Sequence, residues 1–258
     1  MYRCIDIGKK NSCFLVGVVN VVDSQIARKV DCGGYLNAGR EVSVASTKSF
    51  TSQVIILQLM SVWFAQKQNK INHSKLLEDL RNFSYNIHDL FHSNEKNKIN
   101  NWAKYFKDFN SCFLIGKGNT IPITHEGALK IKEITYIHAE GYSASGLKHG
   151  PLALIENGFP VILFIADDEN VSKMISAYEE LYARGAKLFC ISNSSQFITY
   201  ISGRDEYDNN CLISLSYETD NIHLIMNICT QLLAYYICIE KGLSPDKPRN
   251  LAKVVTVE

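Results

Sequence analysis

The chain has 258 residues, enough for one large core or two small ones, and its 46% hydrophobic and 21% charged residues are the balance of an ordinary globular protein. A net charge of +1 argues against a dedicated nucleic-acid binder, and no apolar run reaches membrane-spanning length without polar interruption. The opening MYRCIDIGKKNSC lacks the apolar core of a signal peptide, so a cytoplasmic protein with neither a membrane nor a nucleic-acid partner is expected. The eight cysteines (Cys4, Cys13, Cys32, Cys112, Cys190, Cys211, Cys229 and Cys238) are scattered, without CxxC or ligand-spaced histidine. Several sit in apolar runs, which points to reduced, buried thiols ahead of disulfides or zinc.

In chain order, residues 12–19 (SCFLVGVV) read as a buried strand and 21–29 as a short helix or turn. Residues 30–37 (VDCGGYLN) suit a short strand, although Gly33 and Gly34 weaken that reading. From Ser46 to about Gln66 the pattern is helical, with Ser46 or Thr47 as N-cap. That helix is apolar almost all round, so burial between layers or subunits is expected. Its N-terminus, with Ser46, Thr47, Lys48 and Ser49, offers N–H groups and hydroxyls to an anion or a sugar, and equally well to plain capping.

Residues 74–92 read as an amphipathic helix. His88 and His92 are four apart on it, a metal-binding spacing, but no third ligand accompanies them and a solvated face is the expectation. The polar, asparagine-rich SNEKNKINN (93–101) reads as a linker or loop, followed by a helical piece over 100–108. Beyond it, strands at 111–116, 160–166, 187–192 and 211–215 alternate with helices at 122–139, 169–184 and 221–241. That alternation predicts α/β architecture, a parallel sheet with helices on both faces. Gly116-Lys117-Gly118 matches neither a dinucleotide nor a P-loop fingerprint. Pro245 and Pro248 rule out a helix before Arg249.

The chemistry concentrates between Glu126 and Pro151, EGALKIKEITYIHAEGYSASGLKHGP. Glu126, Lys130 and Glu133 are spaced i, i+4, i+7 and share one helix face, while Gly127, Ala128, Ile131 and Ile134 turn to another. After Tyr136-Ile137-His138 the pattern breaks, and a loop rich in glycine and serine delivers Lys148 and His149. A carboxylate can take a proton from carbon beside a carbonyl, an ammonium can stabilise the resulting oxyanion, and an imidazole titrates near neutrality. The same i, i+4 spacing also serves an ordinary surface ion pair.

This stretch, together with NAGREVSVASTKSFTSQ (37–53) and DKPRNLAKVVTVE (246–258), closely resembles the isomerase half of the glucosamine-6-phosphate synthase family, the isomerizing glutamine:fructose-6-phosphate aminotransferases. The resemblance implies two flavodoxin-like sugar-isomerase (SIS) subdomains: a first, incomplete one at 1–72, a helical connection at 73–102, a second at 103–243, and an active-site tail at 244–258. It implies conversion of fructose 6-phosphate to glucosamine 6-phosphate, toward UDP-N-acetylglucosamine, with no metal or organic cofactor. By the same resemblance Glu133 is the proton-transferring base and Lys130 a charge stabiliser. His149 is a ring-opening group acting on a neighbouring subunit's site, and Lys253, on a tail folded over the active site, is the ring-opening or imine lysine. Val44, Ala45 and Ser46 lie against the sugar phosphate. A homo-oligomer, at least a dimer, or pairing with a full-length subunit is implied.

Two departures stand out. No glutaminase domain and no CGTS-type or SQSGET-type phosphate loop is present, and the family's GELKHGP reads SGLKHGP, with Gly146 in place of glutamate. Both motivate alternatives, namely a non-catalytic sugar-phosphate-binding or regulatory SIS protein, or an inactive fragment.

Overall fold

In the computed structural model, which describes residues 1–68 and 74–252, the chain divides into two units, Met1–Leu80 and Arg81–Glu258. The first contains α1 (Tyr2–Lys10), β1 (Val16–Val19), α2 (Gln25–Lys29), β2 (Cys32–Tyr35), α3 (Lys48–Lys67) and the start of α4 (Ser74–His92). β1 and β2 pair in parallel, Val16 opposite Cys32 through Val19 opposite Tyr35. The glycine pair that weakens a strand reading has a steric cause here: a Cβ on Gly33 would lie 1.9 Å from the carbonyl oxygen of Gly17 on β1. α2 is capped by Ser24, whose Oγ accepts the Ala27 N–H at 3.3 Å.

Two features of this unit lie outside what the sequence pattern predicts. α1 has no counterpart in the sequence reading; its basic last turn, Lys9 and Lys10, suits the negative end of a helix. α3, expected to be buried, buries only Ser49 and Val62, while Leu57 (53%), Trp63 (53%) and Phe64 (49%) stay exposed. Among the described residues, layers of this chain cover only part of α3; the other half of the expectation, burial between subunits, concerns a surface that a single chain does not cover.

α4 crosses into the second unit and buries Phe83 and Leu90, while His88 and His92 face outward with stacked rings. His92 Nδ1 lies 2.7 Å from the His88 carbonyl oxygen. Among the described residues no group of three or more His, Cys, Asp or Glu is gathered as a metal site. The asparagine-rich stretch expected to be a linker is instead a helix, α5 (Asn94–Phe106). Its composition hides an i, i+3, i+4, i+7 stripe of Ile99, Trp102, Ala103 and Phe106, all buried. Trp102 Nε1 donates to the Asn210 carbonyl at 2.6 Å, and buried Lys98 donates to the Leu212 carbonyl at 3.0 Å and pairs with Glu95.

The rest of the unit is a five-stranded parallel sheet. In chain order it comprises β3 (Ser111–Gly116), α6 (Ile121–Thr135), β4 (His138–Ser143), β5 (Pro160–Ile165), α7 (Val171–Tyr182), β6 (Lys187–Ser192), α8 (Ser195–Ser202), β7 (Leu212–Ser214) and α9 (Ile222–Glu240). The strand order β4-β3-β5-β6-β7 is the flavodoxin-like arrangement, with the direction of winding reversing between β3 and β5. β5 is buried at every position, as the unbroken apolar run predicts for a strand covered on both faces. α9 has the length and apolarity of a membrane span, but 67% of it is buried inside the molecule, where it packs on α5 and α6 as a core helix.

The helix predicted for 122–139 ends early. Tyr136 adopts a left-handed conformation (φ 63°), and Thr135 Oγ1 bonds the Ile131 carbonyl at 2.7 Å. The residues after it, expected as loop, form the edge strand β4, paired with β3 from His138 opposite Ser111 to Ser143 opposite Gly116. Gly141 on that strand approaches α6 closely, its Cβ position 2.7 Å from Thr124. A glycine read as a loop signal is here a packing requirement.

The seating of α6 rests on another such approach. A Cβ on Gly127 would meet Thr230 Cγ2 of α9 at 2.7 Å and Leu114 Cδ2 of β3 at 2.9 Å, all within a buried layer. Gly127→Ala is therefore expected to cost about 1–3 kcal/mol despite alanine's better helix propensity, read as a lowered urea midpoint with unchanged m-value.

Candidate functional site

α6 builds the site. Pro122 sits at its start, Thr124 Oγ1 donates to the Ile121 carbonyl at 2.7 Å, and the apolar face of Ile123, Gly127, Ala128, Ile131 and Ile134 is buried. Lys130 lies at the margin of that face, i+7 from Ile123 and i−4 from Ile134, and is only 3% exposed. Its Nζ lies 2.7 Å from Glu133 Oε2 and 3.6 Å from Glu126 Oε1. One ammonium thus holds two carboxylates, and the helical spacing alone brings them together. This is not an exposed pair, since side-chain exposures of 4%, 13% and 22% for Lys130, Glu126 and Glu133 remove most of the solvent screening. Glu133 Oε2 is buried and, though close to Lys130, has no aligned hydrogen bond. The ion-pair distance and the burial together leave Glu133 Oε2 held by the Lys130 charge and shielded from solvent.

Burial raises the Glu126 carboxyl above its usual range, against the lowering pull of Lys130, and the like charge of Glu133 raises it further. The folded state therefore holds this proton more tightly than the unfolded chain. Stability is fullest below the unfolded value near 4.5 and falls as pH rises toward the raised folded value. Glu126→Gln is expected to flatten this part of the profile, so that urea midpoints between pH 4.5 and 7 fall less steeply with pH than in the parent chain.

His149 closes a 3₁₀ turn, Ala144–His149, that follows β4, and it is exposed. It lies at the carboxyl end of the sheet. α6 runs back from the end of β3 toward the amino end, where Glu133 lies in its last turn. A six-residue strand spans about 20 Å, so the structure separates His149 from Glu133 within the chain by roughly that length. The neighbouring Lys148 pairs with Glu180 of α7 at 2.7 Å.

Lys253 lies outside the described residues. The tail leading to it does not run free. Pro248 is buried, the Arg249 N–H donates to Tyr136 Oη at 2.8 Å, and the Arg249 guanidinium stacks 4.2 Å from the Tyr136 ring centre. The tail is thus fixed to the residue that ends α6, three positions past Glu133. Sequence reasoning missed Tyr136; the one available signal was the break in helical periodicity that it causes.

In the first unit, Ala45 is buried, and Ser46 Oγ shares a 2.6 Å hydrogen bond with Ser49 Oγ, with Val44 half-buried beside them. The helix begins at Lys48, with Thr47 at the N-cap making no side-chain cap bond. The Ser49 N–H donates to Glu41 Oε1 at 3.2 Å, so a carboxylate of the chain itself takes one of the donors expected to serve an anion.

Comparisons with known proteins agree with this architecture. The SIS domain family matches residues 105–241. A probable glutamine–fructose-6-phosphate aminotransferase (isomerizing) of Acanthamoeba polyphaga mimivirus is 41% identical over 261 residues, covering 100% of this chain and 41% of that protein. The enzyme of that name from Thermococcus kodakarensis is 38% identical over 256 residues, covering 98% of this chain and 41% of its own length. The chain therefore spans well under half of these curated relatives. Among solved structures, the C-terminal domain of glucosamine-fructose-6-phosphate aminotransferase from Francisella tularensis superposes with a TM-score of 0.84 at 32% identity, over 95% of this chain and 68% of that one. A glucosamine-6-phosphate deaminase from Thermotoga maritima shares the fold, with a TM-score of 0.73 at 20% identity. With the matched segment covering more than half of its length, and with its parallel α/β sheet and its resemblance to the isomerase half of the isomerizing aminotransferases, this chain belongs to the SIS-domain family.

Proposed function

We propose that this chain carries the isomerase chemistry of a glutamine–fructose-6-phosphate aminotransferase. The observation that carries the reading is the buried Lys130 held between Glu126 and Glu133. Ammonia adds to the C2 carbonyl of opened fructose 6-phosphate and water leaves, giving the C2 imine. Glu133 takes a proton from C1 and a proton is delivered to C2, while the C1 hydroxyl gives up its proton and the nitrogen gains one, so that C1 becomes the aldehyde carbon and C2 the amine-bearing carbon of glucosamine 6-phosphate. The Lys130 ammonium balances the charge that develops on the substrate oxygen. The Tyr136–Arg249 contact ties Arg249 to the end of α6; Lys253, four positions further along the sequence, is assigned to ring opening or imine formation.

His149, remote from Glu133 in its own chain, serves the site of a neighbouring subunit, so the working unit is at least a dimer or a pairing with a full-length subunit. Val44, Ala45 and Ser46 contact the sugar phosphate. Residues 1–72 belong to a first SIS subdomain and 103–243 to a second. The eight cysteines, all unpaired, suit a reducing cytosol.

The test is ammonia-dependent conversion of fructose 6-phosphate to glucosamine 6-phosphate by the purified chain, with glucose 6-phosphate followed in parallel. Product formation is the expected result. A folded chain that is thermally stabilised by fructose 6-phosphate without turning it over would overturn the catalytic reading and leave a sugar-phosphate-binding protein.

A further inference from the structure

At the carboxyl end of the second unit's sheet, at the opposite end from Glu133, lies a cavity of about 300 Å³. Lys117 enters it directly after β3, Ser145 and Lys148 after β4, and Lys173, Ser176 and Glu180 from α7. Crevices at the carboxyl ends of parallel strands are the usual ligand positions of such sheets, and this volume reaches the lower end of the small-ligand range.

The charges in this cavity are not balanced. Lys148 pairs with Glu180 at 2.7 Å. Lys117 donates to a neutral partner, Ser145 Oγ, at 2.5 Å, which leaves the Ser145 hydroxyl proton free to donate. Lys173 makes no ion pair among the described residues. Three ammoniums face one carboxylate, a local charge of +2. The family's motif has a glutamate where this chain has Gly146, between Ser145 and Lys148, and no atom lies within 4 Å of a Cβ built there. Asp168, which does not line the cavity, accepts the Asn170 N–H at 2.7 Å through Oδ1 and brings Oδ2 to 4.0 Å from the Cβ position of Gly118.

We infer that Lys117, Ser145, Lys148 and Lys173 form a second anion site that takes a phosphate dianion, either free or as the phosphate of a phosphorylated metabolite. The two excess ammoniums match the charge of about −2 that a phosphate monoester carries near neutral pH. The serine hydroxyl supplies a third donor. The inference does not rest on Glu126, Lys130 or Glu133, which lie toward the other end of the sheet.

The experiment is a ¹H–¹⁵N NMR titration of the full chain at constant ionic strength with inorganic phosphate, fructose 6-phosphate and, as a neutral control, fructose. Saturable shifts centred on Lys117, Ser145 and Lys173 are expected with the two phosphates and not with fructose. Response to both assigns the site to the phosphate group; response to the sugar phosphate alone assigns it to a phosphorylated sugar. Lys117→Ala, Lys173→Ala and Gly146→Glu are each expected to weaken this binding by about tenfold or more, while Glu133→Gln leaves it unchanged. Unperturbed resonances elsewhere report that each variant is folded, and should one not fold, the mapping on the parent chain decides. No saturable shift at these residues, or equal affinity in the folded Lys173→Ala and Gly146→Glu chains, overturns the site.

Discussion

Glu133→Gln is expected to leave the chain folded and to lower ammonia-dependent formation of glucosamine 6-phosphate by at least about a hundredfold, the usual scale of a lost general base. The substitution keeps the volume and planarity of the side chain and removes only its charge and its capacity to accept a proton. Glu133 is suited to such a test because its Oε2 is buried beside Lys130 without an aligned hydrogen bond. Circular dichroism and urea unfolding separate the two roles: a purely structural Glu133 would lower stability and spare turnover. Parent-level turnover in a folded Glu133→Gln chain would remove this residue from the chemistry.

Lys130→Met is expected to produce the largest loss of stability, about 3 kcal/mol at neutral pH, toward the lower end of the range for breaking a buried ion pair because both carboxylates retain some exposure. Methionine replaces most of the apolar stem, so the loss is electrostatic. Glu126 and Glu133 are left facing each other, partly desolvated, without the ammonium between them. The sign of the pH dependence follows from the carboxyl that burial already raises. Without Lys130 its lowering pull is gone and the Glu126 pKa climbs further. Protonation then relieves the repulsion, so the deficit should shrink as pH falls toward 5 and reach its full size at pH 8. Urea unfolding of parent and variant at the two pH values measures it; a deficit independent of pH would assign the effect to packing.

The same residues show how far the sequence reaches. The Glu126–Lys130–Glu133 triad was legible because helical geometry fixes which residues share a face whatever surrounds them. β3, β5 and β6 were legible because a strand buried on both faces must be apolar throughout. β4 was not: an edge strand carrying His138, Glu140, Gly141 and Ser143 has a loop's composition, and only pairing with β3 makes it a strand. α5 was misread because eight Asn, Glu and Lys residues surround a stripe whose partners, on α9 and around the start of β7, lie more than a hundred positions away.

What the sequence determined by itself was periodicity, the α/β alternation and the short-range charge constellation, since each depends on backbone repeat and on neighbours within two helical turns. Tertiary structure alone decided the rest. Burial turned an ordinary-looking i, i+4 pair into a desolvated triad, because only the packed layers of β3, α6 and α9 exclude water from Lys130. Strand direction put His149 and Glu133 at opposite ends of the sheet. Three lysines separated by as many as 56 positions, Lys117 to Lys173, came to share one cavity because parallel strands bring their carboxyl ends to the same edge.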